Sequence, residues 1–179
     1  QTVLAKNLEE GQYTVSADGH LIAYQTSGTI NTAQEIKVLN LKTDEENAVA
    51  AKSGEAIRPL GFIGSDFVYG YLRQEDVGHT AAGGELFPMY GLEIRNSENE
   101  VMKTYSADQI YISDVFIEEN MMTLNRVVKS GETYTVTSQD YISSNEEKKT
   151  KSITLEAFST DLKEKQMKLQ YADGISDQS

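Results

Sequence analysis

Hydrophobic and β-prone positions come in short runs separated by polar turns, and almost none of them keep helical spacing. Tyr13-Thr14-Val15-Ser16 leads through Ala17-Asp18-Gly19 into Leu21-Ile22-Ala23-Tyr24. Asp-Gly between two such runs predicts a hairpin, because Gly takes the positive φ that a tight turn demands. Glu35 to Leu41, the turn Thr43 to Asn47 and Ala48 to Ala51 complete four predicted strands. The pattern returns at Leu60 to Ile63, Phe67 to Leu72, Tyr90 to Ile94 and Val101 to Tyr105. It returns again at Ile110 to Ile117, Met121 to Val128, Ile153 to Phe158 and Gln166 to Tyr171, with Tyr134-Thr135-Val136 extending the middle hairpin region. The tail also supports a second reading, since Leu155, Phe158, Leu162 and Leu169 fit a helix near Thr160 to Lys168.

The runs share a register. The turns Thr43-Asp44, Ser97-Glu98 and Thr160-Asp161 each follow apolar pairs at matching offsets, namely Ile36/Val38, Tyr90/Leu92 and Ile153/Leu155. The repeat lengthens along the chain because residues are inserted between the second and third strand of each unit. Insertions confined to one connection are what stacked repeat units tolerate. The expected fold class is all-β, in consecutive four-stranded antiparallel units spanning 11–53, 55–106 and 108–172. Residues 1–10 supply a strand of a preceding or closing unit.

The segment Ser16-Ala17-Asp18-Gly19-His20-Leu21-Ile22-Ala23-Tyr24, followed by Ile36-Lys37-Val38-Leu39-Asn40-Leu41-Lys42-Thr43, resembles a WD40-like β-propeller repeat of the TolB type. The second unit keeps Ser65-Asp66 and an aromatic strand; the third keeps only the strand pattern. The resemblance implies propeller-type blades, each four-stranded, around a central axis. Three blades are too few to close a ring, so residues 1–179 are expected to form a partial propeller or open arc whose open blade edges would let two copies pair as a homodimer. Such repeats occur in periplasmic, surface and peptidase-associated proteins, and an exported or cell-surface bacterial home is the expectation that follows.

Charge narrows the partners. There are 16 Lys and Arg against 28 Asp and Glu, a net charge of −12. That opposes nucleic acid, which needs a basic face, and docking on anionic lipid. No apolar run approaches the length of a membrane-spanning helix, so no direct membrane insertion is expected. The first residue is Gln, which reads as a piece of something longer. Cysteine is absent, which removes disulfides, thiolate metal sites and cysteine nucleophiles together.

Candidate chemistry collects in one place. The longest Gly-rich insertion, Gln74 to Phe87, contains Glu75, Asp76, His79 and Glu85, with Tyr90 just beyond. A histidine among carboxylates is a cation-binding set in kind. Nothing holds these groups at metal-ligand spacing, so no metal and no cofactor is assigned, and the plainer reading is a mobile polar loop. Gly61-Phe62-Ile63-Gly64-Ser65 lacks the arrangement of a nucleophile elbow, and neither histidine is linked to Ser65 as a base. The turns Asp44 to Asn47 and Asn96 to Asn99 lack the central Gly and closing Glu of an EF-hand loop. The tyrosines at 69, 71, 90, 105, 111, 134 and 141 are expected between sheets, with one or two at a loop mouth. The expected function is therefore non-catalytic: binding or scaffolding, with a protein or small ligand held by the insertions 74–87 and 129–150. The competing expectation is the accessory portion of a larger peptidase or glycosidase, with its catalytic groups outside this chain.

Overall fold

The computed structural model describes residues 7–143. The expected strands at 2–6, 153–158 and 166–171, and the helix reading of 160–168, lie outside them. Among the described residues the protein is all-β, with one short 3-10 turn and no α-helix.

The first four strands form a separate antiparallel sheet in the order β1 (Tyr13–Val15), β2 (Leu21–Gln25), β3 (Glu35–Asn40) and β4 (Glu46–Ala50). Its first turn is fixed as the sequence predicts. Gly19 takes φ +75°, and the Asp18 carboxylate accepts hydrogen bonds from the Ser16 hydroxyl at 2.6 Å and the His20 amide at 3.0 Å. These bonds hold the Asp18 carboxyl well below the usual carboxylate range.

The second meander runs through β5 (Glu55–Ile63), β6 (Asp66–Arg73), β9 (Met89–Arg95) and β10 (Val101–Ser106), each hydrogen-bonded to the next. Its first strand begins at Glu55, well before Leu60. Pro59 sits inside it because β5 pairs on one side only, with β6. A bulge follows at once, where the β5–β6 register shifts between Pro59 and Gly61.

Between β6 and β9 the insertion is ordered. A 3-10 turn at Gln74–Asp76 leads into a hairpin of β7 (Gly78–Thr80) and β8 (Glu85–Leu86). Where the sequence reads as a loop throughout, part of the insertion is therefore strand. The hairpin has a partner that sequence spacing does not reveal, because β7 pairs in parallel with β13 (Thr133–Val136), more than fifty residues on.

The third meander starts with the long hairpin β11 (Ile110–Glu118) and β12 (Met121–Ser130). Both β13 and β14 (Asp140–Ser143) then pair with the other edge of β12, with residues 137–139 looping out between them. The stretch 129–150, expected as a connection that binds partners, is thus strand over much of its described part. Single-residue pairing of Met89 with Ile112, together with the β7–β13 contact, joins the second and third meanders into one curled half-barrel sheet of ten strands. The expectation of separate four-stranded units holds for the first sheet and is corrected for these two.

The alternation along β6 explains the packing. Phe67 and Tyr69 face the first sheet and pack with Ala23, Ile36, Val49, Ile57 and Phe62. Val68 and Leu72 face the other way and pack with Met89, Leu92, Ile112, Met122, Leu124 and Ile142. Period-2 alternation therefore buries both faces of β6. Behind the second core, a buried ion pair joins Arg126 to Asp140 at 3.4 Å, and the Tyr105 hydroxyl donates to Asp140 at 2.8 Å and accepts from Arg126 at 3.0 Å. Burial pushes the Asp140 carboxyl up despite these partners.

Candidate functional site

Arg73, the last residue of β6, organises the end of the molecule that carries the insertion. Its Nε donates to the Asp76 carboxylate at 2.8 Å, and its guanidinium lies 4.3 Å over the Tyr90 ring. Asp76 is buried, and its other oxygen lies 3.4 Å from the Tyr111 hydroxyl. The Tyr134 hydroxyl donates to the backbone carbonyl of Asp76. Tyr90 donates to Glu55 at the start of β5, and burial with this carboxylate pushes its phenol up. Tyr71 packs on Tyr90 with ring centroids 4.6 Å apart, and burial raises its phenol to about 12.

The structure thus divides the sequence-predicted residues into two groups. Asp76 and Tyr90 converge on Arg73 and hold the insertion in place. Glu75, His79 and Glu85 are exposed, with Glu75 reaching within 3.8 Å of Arg73 and His79 paired across the hairpin from Glu85. Among the described residues, no group of three or more histidines, cysteines or carboxylates is placed to hold a metal ion. Arg73, Tyr111 and Tyr134 complete the arrangement, although the sequence does not point to them as site residues. Arg73 alone had a local signal, because it stands three residues before Asp76. Tyr111 and Tyr134 are brought in by strand pairing.

The insertion also reaches back to the first sheet. Gln74 donates to the Asn31 carbonyl at 2.8 Å, and Arg58 bonds to the Asn31 side chain and to the Phe87 carbonyl. Burial lowers the Arg58 guanidinium.

At the opposite end the first two meanders part to leave a cleft of about 350 Å³. Its floor is Leu21, Val38 and Phe67, and its walls are the turns after β3 and β9, with Ser65 from the turn after β5. Two amide bonds span it, from Asn47 to the Ser97 carbonyl at 3.1 Å and from Asn99 to the Ala48 carbonyl at 3.3 Å. The two Asx-rich turns set aside in the sequence as non-EF-hand segments are therefore the two facing walls of one cleft.

No helix among the described residues is long and apolar enough to cross a membrane. Comparison of the chain with protein-family models, with curated proteins and with solved structures found no match in any of the three.

Proposed function

We propose that this chain is a non-catalytic binding module, a segment of propeller-type blades that recognises a protein partner through the β7–β8 hairpin. One observation carries the reading: the insertion is a hairpin seated on β13, with its interior carboxylate neutralised by Arg73, while Glu75, His79 and Glu85 face solvent. A rigid projection spends little ordering entropy on binding, so its exposed side chains act as a preformed patch. The patch carries two carboxylates, which suits a partner surface bearing Lys or Arg. Asp76 and Arg73 are committed to each other, which leaves neither as a free acid or base. The propeller reading is supported by the separate four-stranded first sheet, which packs across one core on one face of β6.

The test is selection from a displayed random-peptide library against the full chain and against the triple variant E75A/H79A/E85A. The expected result is enrichment of Lys- and Arg-rich peptides by the native chain only. Enriched peptides that bind both proteins equally would place recognition elsewhere. Deleting residues 76–84 is a poor test, because it removes Asp76 and uncovers Tyr134.

A further inference from the structure

The cleft at the far end from the insertion has a hydrogen-bonding character that its own protein contacts leave unspent. The Asn40 side-chain carbonyl caps its turn, accepting from the Lys42 amide at 2.9 Å, and its NH2 group has no protein partner among the described residues. Asn47 spends its NH2 on Ser97 and keeps its carbonyl oxygen unengaged. The Ser65 hydroxyl and the Glu98 carboxylate likewise make no protein hydrogen bond among the described residues. Around one small space there are thus an amide donor, an amide acceptor, a hydroxyl and a carboxylate, above an apolar floor.

Charge selects among ligands. Among the described residues the one cation in the wall is Arg95, and its guanidinium is turned to the Tyr69 hydroxyl at 3.3 Å, to Glu93 at 3.3 Å and to the Asn99 carbonyl at 3.3 Å. Glu45 and Glu98 add negative charge to the walls. Phosphates and carboxylates need a positive field around their donors, and the carboxylates of these walls oppose it. A ligand whose groups both donate and accept fits this set, and vicinal hydroxyls do both. The volume lies at the small end of ligand pockets and suits one sugar ring.

We propose that this cleft binds the ring of a neutral pyranose, with its hydroxyls on Asn40, Asn47, Ser65 and Glu98 and its C–H face toward Leu21 and Val38. The site is separate from the β7–β8 hairpin and independent of it.

The test is amide chemical-shift titration of the full chain with methyl glucoside, methyl galactoside and N-acetylglucosamine, and with glucuronate as the anionic comparator. At least one neutral pyranose should shift the amides of residues 45–47 and 96–99, and glucuronate should bind at least about tenfold more weakly. Shifts confined to other residues, no shifts with any neutral pyranose, or equal binding of glucuronate would overturn the proposal. Ser65→Trp fills the mouth and leaves both spanning hydrogen bonds in place; Asn47→Ala removes the unengaged acceptor together with the bond to Ser97. Each should weaken binding by about tenfold or more, the worth of roughly one good contact. Native-like binding by a Ser65→Trp protein with an unchanged melting curve would also overturn it. A neutral trisaccharide separates two sources of the same ring: equal affinity marks a free sugar, and tighter binding marks the end of a glycan.

Discussion

At Gly78 the insertion hairpin comes closest to the third meander. A Cβ there would lie 2.5 Å from the Glu132 carbonyl oxygen and 2.7 Å from the Tyr134 ring. The carbonyl is backbone and cannot step aside, so Gly78→Ala should cost about 1–3 kcal/mol by overpacking, measured by urea unfolding. Tyr134 closes the same contact from the other side. Tyr134→Phe keeps the ring and removes the bond to the Asp76 carbonyl, and about 1 kcal/mol should be lost in the same assay. Buried and half-buried tyrosines also set an alkaline limit. Burial raises Tyr71, Tyr105 and Tyr134 from 10.0 to about 12. The native state holds these protons longer than the unfolded chain does. Their contribution is therefore complete below pH 10 and is lost as pH rises from there through about 12. Tyrosinate absorbance and the β-sheet circular dichroism should change together in that window. Tyrosinate formation with an intact β signal would refute the linkage.

The insertion is the element on which sequence and structure part most. Its Gly83-Gly84 and scattered charges carry no strand periodicity, and the partner that orders it is β13, reached through a parallel contact that no local pattern announces. The third strand of the last described meander is concealed differently: Thr137, Ser138 and Gln139 loop out between β13 and β14, which breaks the alternation and makes the stretch read as a connection. By contrast, the Asp18-Gly19 hairpin and the strands around Ile36, Val49, Phe67 and Leu92 are legible, because turn chemistry and alternation agree there. Of the site, sequence proximity gathers Glu75, Asp76, His79, Glu85 and Tyr90, but which of them point inward depends on Arg73. Arg73→Ala leaves the Asp76 carboxylate buried, with only a long contact from Tyr111. The pair is partly open to solvent, so a loss of about 2 kcal/mol is expected, below the cost of breaking a fully buried pair. Local opening should appear first in hydrogen exchange, as faster exchange of the His79 and Thr80 amides while those of β6 stay protected. Equal acceleration throughout would show that Arg73 supports the whole fold instead of the insertion.

Across the whole molecule, the question is whether the first sheet unfolds on its own. Among the described residues it shares no strand ladder with the rest. Its ties include a side chain and an isolated backbone bond: the buried Gln25 donates to the Ile57 carbonyl at 2.9 Å, and the Ile57 amide donates to the Ala33 carbonyl at 2.9 Å. Against that stands the construction of β5 and β6, whose two faces feed the two cores. Losing the first sheet would expose Ile57, Phe62, Phe67 and Tyr69 on strands that the second core needs in place. Coupling of this kind favours one cooperative transition. Ile57→Ala in one core and Met122→Ala in the other should therefore each lower the stability of a single transition by about 2–4 kcal/mol. Tyrosine fluorescence, uncomplicated by tryptophan, which the chain lacks, should coincide with circular dichroism in both variants. If Ile57→Ala separated the two signals into an early and a late phase, the first sheet would be an independently folding unit. The cleft between the meanders would then open before the rest of the protein unfolds. A single shared transition means that the cleft and the insertion, at opposite ends of the same β5–β6 hairpin, stand or fall together.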